Sequence, residues 1–306
     1  MMVKFHHILP MKSALSTLFI FWVLWWGGAY SQHYVNLSVD NDLYFDRDFY
    51  YSSGIFISYS YFKFIEGNSF IDNFKLGQLI YTPSSRYETD PNKYDYPYSG
   101  YLFLESTRQL KISDYSSFTI GGNIGITGDA SLAKGMQNLY HDIVLNLPNL
   151  EWKSQMPQEF QINLVVNYLK GFNLQDNINL TTEFYSRLGT YQLMTGLNVG
   201  LLIGELKWFS LSNNIINQSN NNLSFYLGTS QEYYFHDFKL EGSLFNENAE
   251  LTMLSNKYRN TIEVGLQKRF NKLQVLTTFN SMSKDTDLQR TIRHPFLKIS
   301  LSYQLD

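Results

Sequence analysis

Long segments in which apolar and polar residues alternate strictly constrain this chain more than any other feature. Phe118, Ile120, Ile124 and Ile126 share one face of a segment whose other face carries Thr119, Gly121, Asn123, Gly125 and Thr127. Phe160, Ile162, Leu164, Val166 and Tyr168 alternate in the same way with Gln161, Asn163 and Asn167, and Leu197, Val199, Leu201 and Ile203 with Asn198, Gly200 and Gly204. At the C-terminus, Ile299, Leu301, Tyr303 and Leu305 stand against Lys298, Ser300, Ser302 and Gln304. A period of two marks β-strands with one apolar face. Soluble sandwiches alternate too, but their strands average about 5 or 6 residues. Segments of roughly 10 to 14 residues match the reach of a tilted strand crossing a membrane.

Beyond residue 31 no apolar run approaches the roughly 20 residues that a membrane helix needs. Strands in lipid must pair every backbone amide, so they must close into a barrel without a free edge. The 23 Tyr and 23 Phe gather toward segment ends, as in Tyr50-Tyr51, Tyr94 to Tyr98 and Tyr233 to Phe235, which suits aromatic girdles at two membrane interfaces. The expected fold is an all-β, transmembrane antiparallel β-barrel of an outer membrane. Candidate strands are 33–43, 51–63, 73–82, 98–112, 115–127, 159–170, 177–188, 191–204, 223–235, 238–247, 259–270, 272–283 and 294–305. Both chain ends are expected at the periplasmic side, which demands an even number; about twelve strands are expected, or fourteen if Leu206 to Asn213 adds one. Turns at Ser113-Asp114, Gly171 to Asp176 and His236-Asp237 are expected to be periplasmic. The connections 43–50, 83–97, 128–158, 205–222, 248–258 and 284–293 are expected outside. A monomer is expected.

Residues 1–31 read as a cleaved signal peptide, with Lys4 and Lys12, an apolar run from Leu18 to Trp26, and a small-residue stretch ending at Ser31. Met11 offers a tighter start. The barrel domain is then 32–306. The chain has no Cys, which removes disulfide frameworks and thiolate metal sites, and 24 Lys+Arg against 27 Asp+Glu leave no basic footprint for nucleic acid.

Three places depart from a plain barrel. The first strand ends in Val39-Asp40-Asn41-Asp42, where Asn41 keeps the parity of the lipid-facing Val35, Leu37 and Val39; leaving the membrane would explain this as well as a site would. The second opens with Tyr51-Ser52-Ser53-Gly54, either a hairpin end or a place where a ligand approaches the backbone. The third is Gln137-Asn138-Leu139-Tyr140-His141 in the longest external connection, followed by Trp152 and Gln155; a lone loop histidine is more often merely solvated. His33, His141, His236 and His294 form no metal-ligand spacing.

Together these pieces resemble the outer-membrane lipid A 3′-O-deacylase family, the LpxR family. Asn41-Asp42 is similar to the family's Asn-Asp pair, and Tyr51-Ser52-Ser53-Gly54 to its Tyr-Thr-x-Gly element. Tyr81-Thr82-Pro83 resembles its Tyr-Ser/Thr-Pro turn, and Pro97-Tyr98-Ser99-Gly100-Tyr101 its Pro-Tyr-Ala-Gly-Tyr segment. Gly125 to Gly128, then Gln137-Asn138 and His141, resemble its Gly-x-x-Gly and Gln-Asn-x-x-His run. The likeness covers the first half of the barrel by motif and the second half by strand pattern. It implies a calcium-dependent esterase that removes the 3′-linked acyloxyacyl group of lipid A, the lipopolysaccharide anchor, at the outer leaflet. His141 would be the general base, a task suited to an imidazole near neutral pH. Asp42 would be a hard oxygen ligand for Ca²⁺ with help from the backbone at Ser53 and Gly54, and Asn41 and Ser52 would orient the site.

Two family positions differ. The acid expected six residues after the histidine falls on Leu147, leaving Glu151 as the nearest candidate, and the family's lysine has Arg86 or Lys93 as its counterpart. A non-catalytic barrel on the same scaffold, a pore or a binding protein, is the competing reading. An outer-membrane phospholipase, with a serine nucleophile assembled in space, is a third.

Overall fold

The computed structural model describes residues 32–45, 47–65, 68–204 and 223–305. Twelve antiparallel strands close on themselves in chain order: β1 (Gln32–Asn41), β2 (Tyr50–Ile65), β3 (Asn68–Thr82), β4 (Ser99–Ser113), β5 (Ser116–Thr127), β6 (Phe160–Gln175), β7 (Ile178–Gly189), β8 (Gln192–Ile203), β9 (Leu223–Asp237), β10 (Tyr258–Phe270), β11 (Leu273–Ser283) and β12 (Arg293–Gln304). The closing seam pairs β1 with β12, from Tyr34 opposite Gln304 to Asn41 opposite Leu297. No strand edge is left, as lipid requires. No described helix is long and apolar enough to cross a membrane.

The wall follows the alternation. Along β6, Phe160, Ile162, Leu164 and Tyr168 are exposed to the outside, while Gln161, Asn163, Val165, Asn167 and Leu169 are buried inside. In a soluble protein such a row of exposed aliphatics would be a liability; here it is the lipid contact. The lumen is filled by polar side chains that satisfy one another. Glu105 binds Lys75 at 2.8 Å and Arg187 at 3.2 Å. Asn123 accepts from the Tyr101 hydroxyl and from the Asn163 amide, each at 2.8 Å.

Alternating strand direction separates a turn end from a loop end. The turn end carries both termini of the barrel and short reversals such as 114–115, 176–177 and 271–272. Two expectations are corrected by strand direction. His236 and Asp237 finish an outward-running strand, so they lie at the loop end, and 238–247 is not a strand. A short helix there, α2 (Phe238–Glu241), is stopped at Gly242, whose φ of 76° ends the helix in the left-handed region. Conversely, β8 runs inward and β9 outward, so Ile203 and Leu223, which flank the connection 205–222 expected outside, both stand at the turn end, and the connection itself lies outside the described residues. Leu206 to Asn213 lie outside the described residues, as do residues 1–31; among the described residues the closed order holds twelve strands. A cluster of buried side chains closes the loop end over the lumen, with Tyr50, Tyr96, Tyr98, Trp152 and Leu240 at its centre.

Candidate active site at the loop-end rim

The site is built from three connections. Between β1 and β2, Asn41 accepts a hydrogen bond from the Leu43 amide at 2.7 Å, an Asx-type turn that starts the 3-10 turn Leu43–Phe45. This carries the chain across the rim and delivers Asp42 and Asp48 inward. Tyr50 then takes a left-handed backbone, φ 59°, held by its hydroxyl, which donates to Asp95 and accepts from the Arg290 amide, both at 2.7 Å. A non-glycine residue there is strained, and tertiary contacts must hold it.

A β-bulge follows, because the β2–β3 register skips Ser52 between Tyr51 and Ser53. The extra residue changes which side chains face the lumen. Tyr51 turns inward and donates to Asp40 at 2.7 Å, whereas the Ser52 hydroxyl donates to Asp48 at 2.6 Å. Gly54 is explained by the same bulge: a Cβ there would stand 2.2 Å from the Tyr51 hydroxyl oxygen. Ser53 pairs with Asn41 and Ile80 in the ladder, and Gly54 with Asp40 and Leu79.

The long β5–β6 connection supplies helix α1 (Ala133–Tyr140) and one π-helical stretch, His141–Leu145, of the kind that often accompanies a site. Gly100 lets α1 sit tightly on β4, since a Cβ at that position would lie 2.4 Å from the Ala133 Cβ. The face Ala133, Gln137, His141 points at the barrel, one residue per turn. Gln137 accepts from the Trp152 indole at 2.9 Å and donates to Asp48 at 3.3 Å, while Asn138 exchanges two bonds with the Leu150 backbone.

These elements converge on Asp48. Its Oδ2 lies 2.8 Å from His141 Nε2 and 2.9 Å from the Arg86 guanidinium. Its Oδ1 receives Ser52 and Gln137. Burial alone would raise its pKa, but the bonds from His141 and Ser52 and the charge of Arg86 hold the Asp48 carboxyl below its ordinary value. His141 is buried, and its Nδ1 faces the Pro148 carbonyl at 3.4 Å. An imidazole nitrogen and a carboxylate oxygen approach this closely only with a hydrogen between them, so a proton lies between His141 Nε2 and Asp48.

Asp42 is the second carboxylate. Its Oδ2 accepts from the Phe49 amide at 3.0 Å and lies 3.6 Å from His294 Nε2. Its Oδ1 is buried with no hydrogen-bond partner. Burial, reinforced by the neighbouring charge of Asp48, pushes its pKa up to about 8. Arg86 Nε is likewise buried and without a partner. Asp42 Oδ1 and Arg86 Nε are thus an unmet acceptor and an unmet donor, His294 Nδ1 beside Asp42 is unmet as well, and two carboxyl groups stand against one guanidinium. An open cleft of about 630 Å³, lined by Asp48, Phe49, Arg86 and Tyr87, leads to it.

Of the residues singled out in the sequence, His141, Asp42 and Ser52 come together, Asn41 caps the adjoining turn, and Ser53 and Gly54 sit in the neighbouring ladder. Asp48 is not among them; it takes the carboxylate position beside His141 that Leu147 leaves empty. Glu151 instead pairs with Lys153 at the surface. Arg86 reaches the cluster, whereas Lys93 pairs with Glu88 and Asp90. Asp48 sits four residues before Ser52 in an acid-containing connection, and that spacing is the one signal that could have pointed to it.

A closed barrel with its polar cluster at the loop-end rim is an outer-membrane β-barrel protein whose site opens outward. More specifically, the chain belongs to the family of the outer membrane protein LpxR, whose model matches residues 14–305. The solved structure of LpxR from Salmonella typhimurium superposes with a TM-score of 0.74 at 17% identity, covering 88% of this chain and 99% of that one. The β domain of the Bordetella autotransporter BrkA gives 0.49 at 9% identity, with 89% of this chain and 98% of that one covered. Curated protein sequences give no match.

Proposed function

We propose that this chain is a calcium-dependent lipid A 3′-O-deacylase, hydrolysing the 3′-linked acyloxyacyl ester of lipopolysaccharide at the outer leaflet. The observation that carries the reading is the buried His141–Asp48 pair beside two unsatisfied groups, Asp42 Oδ1 and Arg86 Nε, at the end of the barrel that meets outer-leaflet lipid.

His141 takes a proton from water at Nδ1, giving up its 3.4 Å contact with the Pro148 carbonyl, as the new bond to the ester carbonyl carbon forms, and Asp48 stabilises the imidazolium by holding Nε2. The tetrahedral intermediate collapses with cleavage of the ester C–O bond, and the same proton passes to the departing 3′ oxygen. Arg86 holds Asp48 in place and aims its free Nε–H at developing negative charge. Ser52 and Gln137 fix the second oxygen of Asp48.

The donors fit a hard cation in part. Asp42 Oδ1 is an unpartnered buried oxygen beside a second carboxyl group, although no three acidic or histidine side chains among the described residues form a cage. Asp42 would hold Ca²⁺ with the backbone near Ser52 to Gly54, and water or substrate oxygens would complete the roughly six to eight that the ion takes. When bound, the ion polarises the ester carbonyl. The filled lumen and closed loop end argue against a pore.

Lipid A from cells expressing the chain, compared by mass spectrometry with the His141→Ala variant, tests the reading. The intact protein should remove an acyloxyacyl mass and the variant should not, by a factor of ~10²–10⁴ in rate. Chelation of calcium, or Asp42→Asn, should silence the intact protein as well. Identical lipid A from wild type and variant would reject the esterase, and activity surviving chelation would reject the metal.

A further inference from the structure

The helix that brings His141 to the site has a face that the site does not use. Ala133, Gln137 and His141 point at the barrel. On one flank stand Lys134 and Asp142, both exposed. On the opposite flank Leu132, Met136, Leu139, Tyr140 and Ile143 form an apolar stripe at helical spacing, and Leu139 and Ile143 remain 56% and 71% exposed. An amphipathic stripe on a surface helix normally packs on a core; this one stays open on the outside of the fold.

We propose that this flank is a membrane-contact surface, seated in the acyl region of the outer leaflet so that the catalytic helix lies along the lipid rather than standing in water. The occupant follows from continuity with the lipid-facing wall. On β1 the outward row Val35, Leu37 and Val39 climbs to the rim, where Tyr44 projects with 65% exposure. On the helix Tyr140 is 40% exposed, and its phenol pKa is raised by partial burial and by the charges of Tyr44 and Asp48. The helix packs on β3 and β4 of the wall, and exposed tyrosines stand both above the wall row and in the helix stripe; tyrosine is the residue that suits the border between headgroup and acyl chain. A helix with a charged flank and an apolar flank lies in the plane of such an interface with its apolar side in the lipid. A soluble partner protein would have no reason to find its patch continuous with a lipid-facing row. The surface is independent of turnover, so it stands or falls apart from the esterase reading.

The absence of native cysteine makes a clean test possible. The full-length barrel carrying Ile143→Cys or Leu139→Cys, and separately Lys134→Cys, is labelled with an environment-sensitive fluorophore and reconstituted in phosphatidylcholine vesicles. Bromine on the acyl chains should extinguish most of the emission at 143 and 139, and aqueous iodide should barely reach them; at 134 the order of the two quenchers should reverse. Equal iodide quenching at all three positions without a bromine effect would overturn the proposal. Energy transfer between labelled copies at 143 that grows with protein density would place a second copy there and overturn it too.

Discussion

Two clusters of buried charge sit at the loop end, and they differ in balance. Around Arg259 and Lys239 the two cations face two acids, Asp237 and Asp285: Arg259 binds them at 2.7 and 3.2 Å, and Lys239 contacts both. Around His141, two carboxyl groups face Arg86 alone; buried atoms without a hydrogen-bond partner occur in both clusters, Asp237 Oδ1 and Asp285 Oδ1 in the first, Asp42 Oδ1 and Arg86 Nε in the second. The first ties α2 to β9, β10 and the β11–β12 connection and reaches Tyr96 in the plug through Asp285. The second holds strain at Tyr50, a bulge at Ser52 and a π-helical stretch at His141. Acids each matched by a cation serve the fold; a buried carboxyl with no cation of its own, kept in place by distorted backbone, is what a site reserved for another molecule looks like.

The largest expected effect strikes the second cluster. Asp48→Asn keeps the shape and the Ser52 contact but cannot stabilise an imidazolium, so deacylation of lipid A in mixed micelles should fall by ~10³–10⁴-fold. The slower gel migration of the unfolded barrel should still appear only on heating. Loss of the folded band instead would make Asp48 a structural residue and erase the contrast.

The mirror experiment is Arg259→Met. Removing one partner of a buried ion network costs about 3–5 kcal/mol, so denaturant unfolding in detergent should shift by that amount. Molecules that remain folded should deacylate at nearly the wild-type rate. A rate loss as deep as that of Asp48→Asn would mean that the two clusters act as one.

Arg86→Ala comes next, at ~10²-fold in rate if the free Nε–H serves as a charge-stabilising donor. Arg86→Lys should recover only part of this, because an ammonium keeps the charge but loses the fork that binds Asp48 while leaving Nε free. Full recovery by lysine would reduce Arg86 to a countercharge.

The two clusters were not equally legible in the sequence. The wall was, because alternation along Phe160 to Leu169 reports directly which side chains meet lipid. His141, Asp42 and Ser52 were accessible through motif order, each next to a strand end. Asp48 was not, since its partner His141 lies 93 residues away and nothing in a loop's local pattern encodes a contact made across the rim. The balanced cluster was hidden by a different failure. Phe238, Leu240 and Leu244 alternate enough to imitate a strand, yet Phe238 and Leu240 belong to one helical turn whose apolar residues are both buried at the loop end. Short apolar runs carry too few periods to separate the two structures.

The smallest effect separates the clusters by pH. Burial would raise the Asp285 carboxyl, but the charges of Arg259 and Lys239 outweigh it and hold the group down at about 2, below the ordinary carboxylate value of 3.8. A depressed carboxylate adds stability that is fully present above its unfolded value and disappears as pH falls through its folded value. The window therefore runs from about pH 4 down to about pH 2, and because a tenfold change in proton affinity is worth ~1.4 kcal/mol, the contribution is about 2 kcal/mol. Unfolding free energies measured across that window should drop for the wild type, and Asp285→Asn should flatten the slope by that amount. Asp48, also held low, keeps its own share of the slope in the Asp285→Asn variant. A slope unchanged by Asp285→Asn would mean that the cations around it do not hold the proton off, and the balance on which the comparison turns would be lost.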